Sequence, residues 1–130
     1  MCGIAGIISK NNERSYAKEI QAMINSIAHR GPDDEGTYIN DNVALGHRRL
    51  SVLDISTAGH QPMTNKDKTI WLTYNGEIYN YLEIKNEIDG TDYVSSSDTE
   101  VLLKAYEKWG LSFVKRLNGI FAFAIWNDIK

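Results

Sequence analysis

The chain has 130 residues, 42% of them hydrophobic and 24% charged, the proportions of one globular domain built around one core. A formal net charge of −3 argues against a nucleic-acid or anionic-membrane partner, and no apolar run approaches the ~20 residues of a membrane span. A single cysteine excludes an internal disulfide, no secretory signal is recognisable, and the three histidines lack cysteine partners at metal spacing; the composition reads as cytoplasmic, with no metal site.

Residues 4–8 are a short apolar run with glycines at 3 and 6 and predict a buried strand. After a polar loop at 10–14, Ser15 predicts a cap for a helix reaching about residue 28, with Ala17, Ile20, Ile24, Ile27 and Ala28 on one face. A turn at 31–34 leads into two strands, 37–39 and 43–47, around the turn 40–42. Residues 50–53 read as a strand or a bend, and 54–64, rich in Ser, Thr, Gly and Pro, as a loop. Residues 70–74 alternate as a strand and 80–88 predict a short helix.

Ser97-Asp98-Thr99-Glu100 has the Ser-x-x-Glu form of a capping box. The helix after it places Val101, Leu102, Ala105, Tyr106 and Trp109 on one face and ends at Gly110. A helical turn or two at 112–117 and a strongly apolar strand at 120–126 complete the pattern. Both faces of that strand are apolar, so it expects cover on each, and the turn after it predicts a partner strand. None follows, so the chain reads as the N-terminal fragment of a longer protein, its domain truncated at the C-terminus.

The residue with the most chemistry is Cys2, directly after the start methionine. With Met1 trimmed, Cys2 carries a thiol and a free α-amine, nucleophile and base in one residue. Such an amine has an ordinary pKa of roughly 7.7–8 and can accept a proton near neutral pH. Position alone equally allows a small buried hydrophobe opening a strand, which is what most free cysteines are.

Four further segments accompany it: His29-Arg30-Gly31-Pro32-Asp33-Asp34-Glu35-Gly36, Gly46-His47-Arg48-Arg49-Leu50-Ser51-Val52-Leu53-Asp54, Tyr74-Asn75-Gly76-Glu77-Ile78-Tyr79-Asn80 and Ser97-Asp98-Thr99-Glu100. With Cys2-Gly3-Ile4-Ala5-Gly6, this set in this order closely resembles the glutaminase domain of glutamine-hydrolysing asparagine synthetases, which are class II glutamine amidotransferases. The resemblance runs over the whole chain, 1–130. It implies an α+β, N-terminal-nucleophile hydrolase fold, an αββα sandwich of mainly antiparallel sheets. It implies hydrolysis of L-glutamine to L-glutamate and ammonia through a Cys2 thioester.

By the same resemblance, the Asn75 amide and the Gly76 backbone N–H are the oxyanion donors, Arg49 binds the substrate carboxylate, and Asp98 pairs with its ammonium. Gly76 and Glu77 lie on the ammonium side, and the backbone of Leu50, Ser51, Val52 and Leu53 lines the pocket. The chemistry fits: a guanidinium fork suits a carboxylate, and an acyl transfer needs preorganised donors for its oxyanion. Read without the family, Asn75-Gly76 is a hairpin turn, Asp98 a helix cap, Arg49 a surface arginine like its neighbour Arg48, and Leu50, Val52 and Leu53 core residues. The turn at 30–34 has no evident chemical role and marks the subfamily. The implied partners are L-glutamine, a synthetase domain receiving ammonia, and a second copy in a homodimer. No cofactor is expected in this chain; ATP and magnesium belong to the synthetase domain. The rival readings are a non-catalytic glutamine-binding remnant, the glutaminase domain of another class II amidotransferase, and a plain interaction domain.

Overall fold

The computed structural model describes residues 1–11, 15–52, 54–88 and 90–130. Two three-stranded antiparallel sheets organise the chain. The first has the order β1 (Gly3–Ile8), β3 (Val43–Arg49), β2 (Asp34–Ile39), with α1 (Ala17–Ser26) packed on it. The second has the order β4 (Met63–Thr64), β5 (Ile70–Ile78), β6 (Gly119–Asn127), covered by α2 (Tyr81–Glu87) and α3 (Asp98–Trp109).

The central strand of the first sheet is sorted by its period of two. Its even positions meet the helix: a Cβ on Gly46 would stand 2.4 Å from Ile24 Cγ2, so the glycine lets α1 sit directly on the sheet, and Arg48 donates to the Ile24 carbonyl at 3.1 Å. Its odd positions face the second sheet, where the buried His47 reaches the Tyr74 carbonyl at 2.9 Å. Arg48 is therefore not a solvated surface residue. It fastens the end of α1, bonds Asn25 Oδ1 at 2.9 Å and pairs with Glu35 at 2.6 Å.

The alternation of β5 is complementary. Ile70, Leu72, Tyr74 and Ile78 enter the main core with Ile84, Val101, Leu102, Ala105 and Phe113. The odd positions turn to the first sheet: Trp71 stacks on Tyr38 with centroids 4.0 Å apart, and Thr73 Oγ1 donates to the Gly46 carbonyl at 3.1 Å. At the end of the sandwich marked by Tyr38, Asp128 accepts from Tyr38 at 3.1 Å and from Asn40 at 2.8 Å.

The elements depart from sequence expectation in instructive ways. The first strand is an edge strand and only partly buried, with Ile8 76% exposed. The first helix starts one residue after Tyr16 and gives way after Ile27 to a 3-10 turn at 28–30. Residues 50–52 form no strand, and β4 lies within the segment expected to be loop. Asn75-Gly76 is not a turn: β5 continues through it, Asn75 opposite Ala122 and Gly76 opposite Phe121. A Cβ on Gly76 would stand 2.3 Å from the Ile120 carbonyl oxygen, so the glycine serves close approach of β6. On β6 itself, Phe121, Phe123 and Ile125 pack on the core, whereas Ile120 and Ala122 are exposed.

Candidate functional site

A cavity of about 240 Å³ opens at the end of the sandwich where β1 begins, β3 ends and α3 starts. Cys2, Arg49, Leu50, Val52, Asn75, Gly76, Glu77 and Asp98 all line it. Ser51 is not among the lining residues; its N–H donates instead to Asp33 at 2.8 Å. Leu53 lies outside the described residues.

Cys2 stands just ahead of β1. Its Sγ accepts the Leu50 N–H at 3.3 Å, and the thiol faces the Leu50 carbonyl at 3.6 Å. The Cys2 carbonyl accepts from Arg30 Nε at 3.0 Å. The turn at 30–34 thus has a mechanical role that the sequence alone does not disclose. Arg30 holds the cysteine, Asp33 receives the Ser51 N–H, the Asp33 N–H donates to the Arg49 carbonyl at 3.0 Å, and Asp34 accepts from His60 Nδ1 at 2.6 Å.

Arg49, 7% exposed, is an odd position of β3 and points toward the second sheet. Its Nη1 donates to the Ser56 carbonyl at 2.7 Å and its Nη2 to the Asp54 carbonyl. Among the described residues, these two contacts use two of the five guanidinium N–H groups. Asn75, an odd position of β5, projects from the second sheet toward the first, so the amide and the thiol come from different sheets.

Asp98 is the first residue of α3 and 5% exposed. Its Oδ2 accepts from the Tyr74 hydroxyl at 2.6 Å and the Ile78 N–H at 3.1 Å. Burial, then the neighbouring carboxylate, pushes the Tyr74 phenol up, so Tyr74 stays the donor in this pair. Ser97 caps the helix as its motif predicts, accepting the Glu100 N–H at 3.3 Å. Glu100 does not close the box on Ser97: it reaches further back, to the Val94 N–H at 2.9 Å and the Ser95 N–H at 2.7 Å.

Asp54, Gln61, Tyr74 and Thr99 also line the cavity and escape sequence reasoning. Gln61 spans its back wall, accepting the Tyr74 N–H at 2.7 Å and donating to Thr99 at 3.3 Å. Asp54-x-Ser56 is an Asx-turn signal that could have drawn attention to Asp54; for Gln61 no local signal exists. Among the described residues, no three His, Cys, Asp or Glu side chains gather to hold a metal, and no helix is long and apolar enough to cross a membrane.

Comparison with known proteins agrees with this arrangement. The chain is 41% identical over 132 residues to glutamine-hydrolysing asparagine synthetase 1 of Bacillus subtilis, covering 98% of this chain and 21% of that protein. It is 45% identical over 148 residues to a putative glutamine-hydrolysing asparagine synthetase 2 of Methanocaldococcus jannaschii, covering 100% of this chain and 28% of that protein. The chain thus spans about a fifth to a quarter of these curated relatives. The solved glutamine phosphoribosylpyrophosphate amidotransferase of B. subtilis, complexed with ADP and GMP, matches the fold with a TM-score of 0.58. That match covers 96% of this chain and 29% of the other at 21% identity, which carries the α+β fold and nothing finer. The model of the family described as "Glutamine amidotransferase domain" matches residues 1–130 from end to end. Cys2 and the residues gathered around it therefore sit in a chain that belongs to the glutamine amidotransferase domain family.

Proposed function

We propose that the cavity hydrolyses L-glutamine to L-glutamate and ammonia, with Cys2 as nucleophile. The single observation that carries this reading is the meeting, in one cavity, of the Cys2 thiol, a buried guanidinium and a buried carboxylate. Free glutamine differs from a glutamine side chain in a peptide by its α-carboxylate and α-ammonium. Arg49 and Asp98 are the complementary pair. The Cys2 thiol passes its proton to the α-amine freed by loss of Met1, and the resulting thiolate attacks the side-chain amide carbon. The tetrahedral oxyanion is met by the Asn75 amide and the Gly76 N–H. The amine returns the proton to the leaving nitrogen, ammonia departs, and water cleaves the thioester. Leu50, Val52 and Glu77 complete the substrate pocket.

By analogy with relatives four to five times its length, the ammonia passes to a synthetase domain, in the same chain or another. ATP and magnesium act in that domain. A cytoplasmic setting suits the unpaired thiol, and a homodimer belongs to the same reading. Met1 lines the cavity; a protein that keeps it binds glutamine without turnover. Intact mass separates the two cases. Ammonia release by the processed protein and its loss in Cys2→Ala are the expected results, and turnover by Cys2→Ala at the normal rate refutes the mechanism.

A further inference from the structure

We propose that Asp54 is a positioning residue that fixes the separation between Arg49 and Asp98, the two ends of the cavity, so that both α-groups of one ligand are bound at once. The inference deepens the glutamine reading and rests on it.

Arg49 ends a strand of the first sheet, and Asp98 opens a helix packed on the second. Through the strands they are linked only indirectly, by His47 to the Tyr74 carbonyl and by the Tyr74 hydroxyl to Asp98. Asp54 joins the two ends more directly, through two sets of contacts. Its carbonyl and that of Ser56 hold the Arg49 fork. Its carboxylate then crosses to the other side: Oδ2 accepts the Ser96 N–H at 3.0 Å and the Ser96 hydroxyl at 3.4 Å, two residues ahead of Asp98. Oδ1 accepts the Ser56 N–H at 2.8 Å and the Ser56 hydroxyl at 2.5 Å, which fixes the carboxylate to the segment that grips Arg49.

Four donors fill the roughly four acceptor sites of a carboxylate. Asp54 therefore lines the cavity without an oxygen to spare for a ligand ammonium, and its role is to hold other groups in place. The hydrogen bonds from Ser56, then from Ser96, hold its carboxyl down at about 2, so the bridge is ionised throughout the neutral range.

The consequence is specific to ligands that use both ends. The carboxylate and ammonium of an amino acid share one carbon, so their spacing is fixed, and a site that matches it gains both contacts for one ordering cost. A ligand with only one of the groups gains nothing from a fixed span. A merely stabilising residue would weaken all ligands alike.

The test measures Kd by NMR titration in the full chain with Cys2→Ala, which blocks turnover. The ligands are L-glutamine, glutaramate (no ammonium) and 4-aminobutanamide (no carboxylate). Asp54→Ala and the isosteric Asp54→Asn are expected to weaken glutamine by ~10-fold or more, the scale of charged hydrogen bonds, and to shift the two truncated ligands by less than about twofold. Ser96→Ala, which keeps the backbone donor, is expected to lose less. An equal fall for all three ligands, or unchanged glutamine affinity in both Asp54 variants, overturns the positioning role while the glutamine reading stands. Absence of glutamine binding in the Cys2→Ala background overturns both. Asp54→Asn keeps the test valid if Asp54→Ala does not fold.

Discussion

At the scale of single residues, the proposed mechanism separates groups that bind from groups that act only as charge develops. On that reading Asn75 belongs to the second kind, because it meets an oxyanion that the bound substrate lacks. Asn75→Ala is expected to lower kcat by ~10²–10³-fold and to leave KM nearly unchanged, whereas Arg49→Lys keeps the charge, loses the fork and raises KM. Steady-state ammonia release distinguishes them. His47 is a different case. Its Nε2 donates to the Tyr74 carbonyl, which leaves Nδ1 buried with no hydrogen-bond partner among the described residues. Burial lowers its pKa from 6.5 to about 4. The folded state refuses a proton that the unfolded chain accepts below about 6.5, so stability is full above that pH and is lost as pH falls from about 6.5 to about 4. The shift corresponds to about 3 kcal/mol. His47→Gln, which retains a donor for Tyr74, is expected to flatten the pH dependence of the urea midpoint in this window.

At the scale of elements, β5 carries both structure and chemistry. Its even side chains enter the core while Asn75 faces the cavity, and Gly76 allows β6 to approach. Gly76→Ala forces a methyl against the Ile120 carbonyl and is expected to cost about 1–3 kcal/mol, as overpacking does, measurable as a lower urea midpoint. Sequence reading cuts this strand short at residue 74 because Asn-Gly is a strong turn signal. The tertiary ladder to β6 overrides it, and no local pattern reports a partner more than forty residues away. Local features were legible: the apolar face of α3, the Ser97 cap and the strand at 120–126 all follow from periodicity and capping chemistry. Cys2 was singled out by its place after Met1, but its role, like those of Arg49, Asn75 and Asp98, was reached through family resemblance, since each has an ordinary structural reading in isolation. Asp33, Asp54 and Gln61 were not reached, because their partners are distant in sequence and only folding brings them together.

At the scale of the whole molecule, β6 lies at the edge of its sheet, and among the described residues no strand pairs with its outer side. Ile120 is 66% exposed there. An open, nine-residue apolar edge is a template for another strand. The 130-residue chain is expected to self-associate and bind hydrophobic dyes, and Ala122→Lys to reduce both in sedimentation and fluorescence measurements. The division of the cavity between sheets has a further outcome. Thiol and guanidinium come from one sheet, amide and helix from the other, so neither half alone offers a place for glutamine. A ligand that recognises only the docked pair adds its binding energy to the docking itself, about 2.7 kcal/mol at a hundred times its Kd. On the proposed reading, the substrate is thus also a fastener: a cell rich in glutamine holds the two halves of this domain together more firmly than a starved one does.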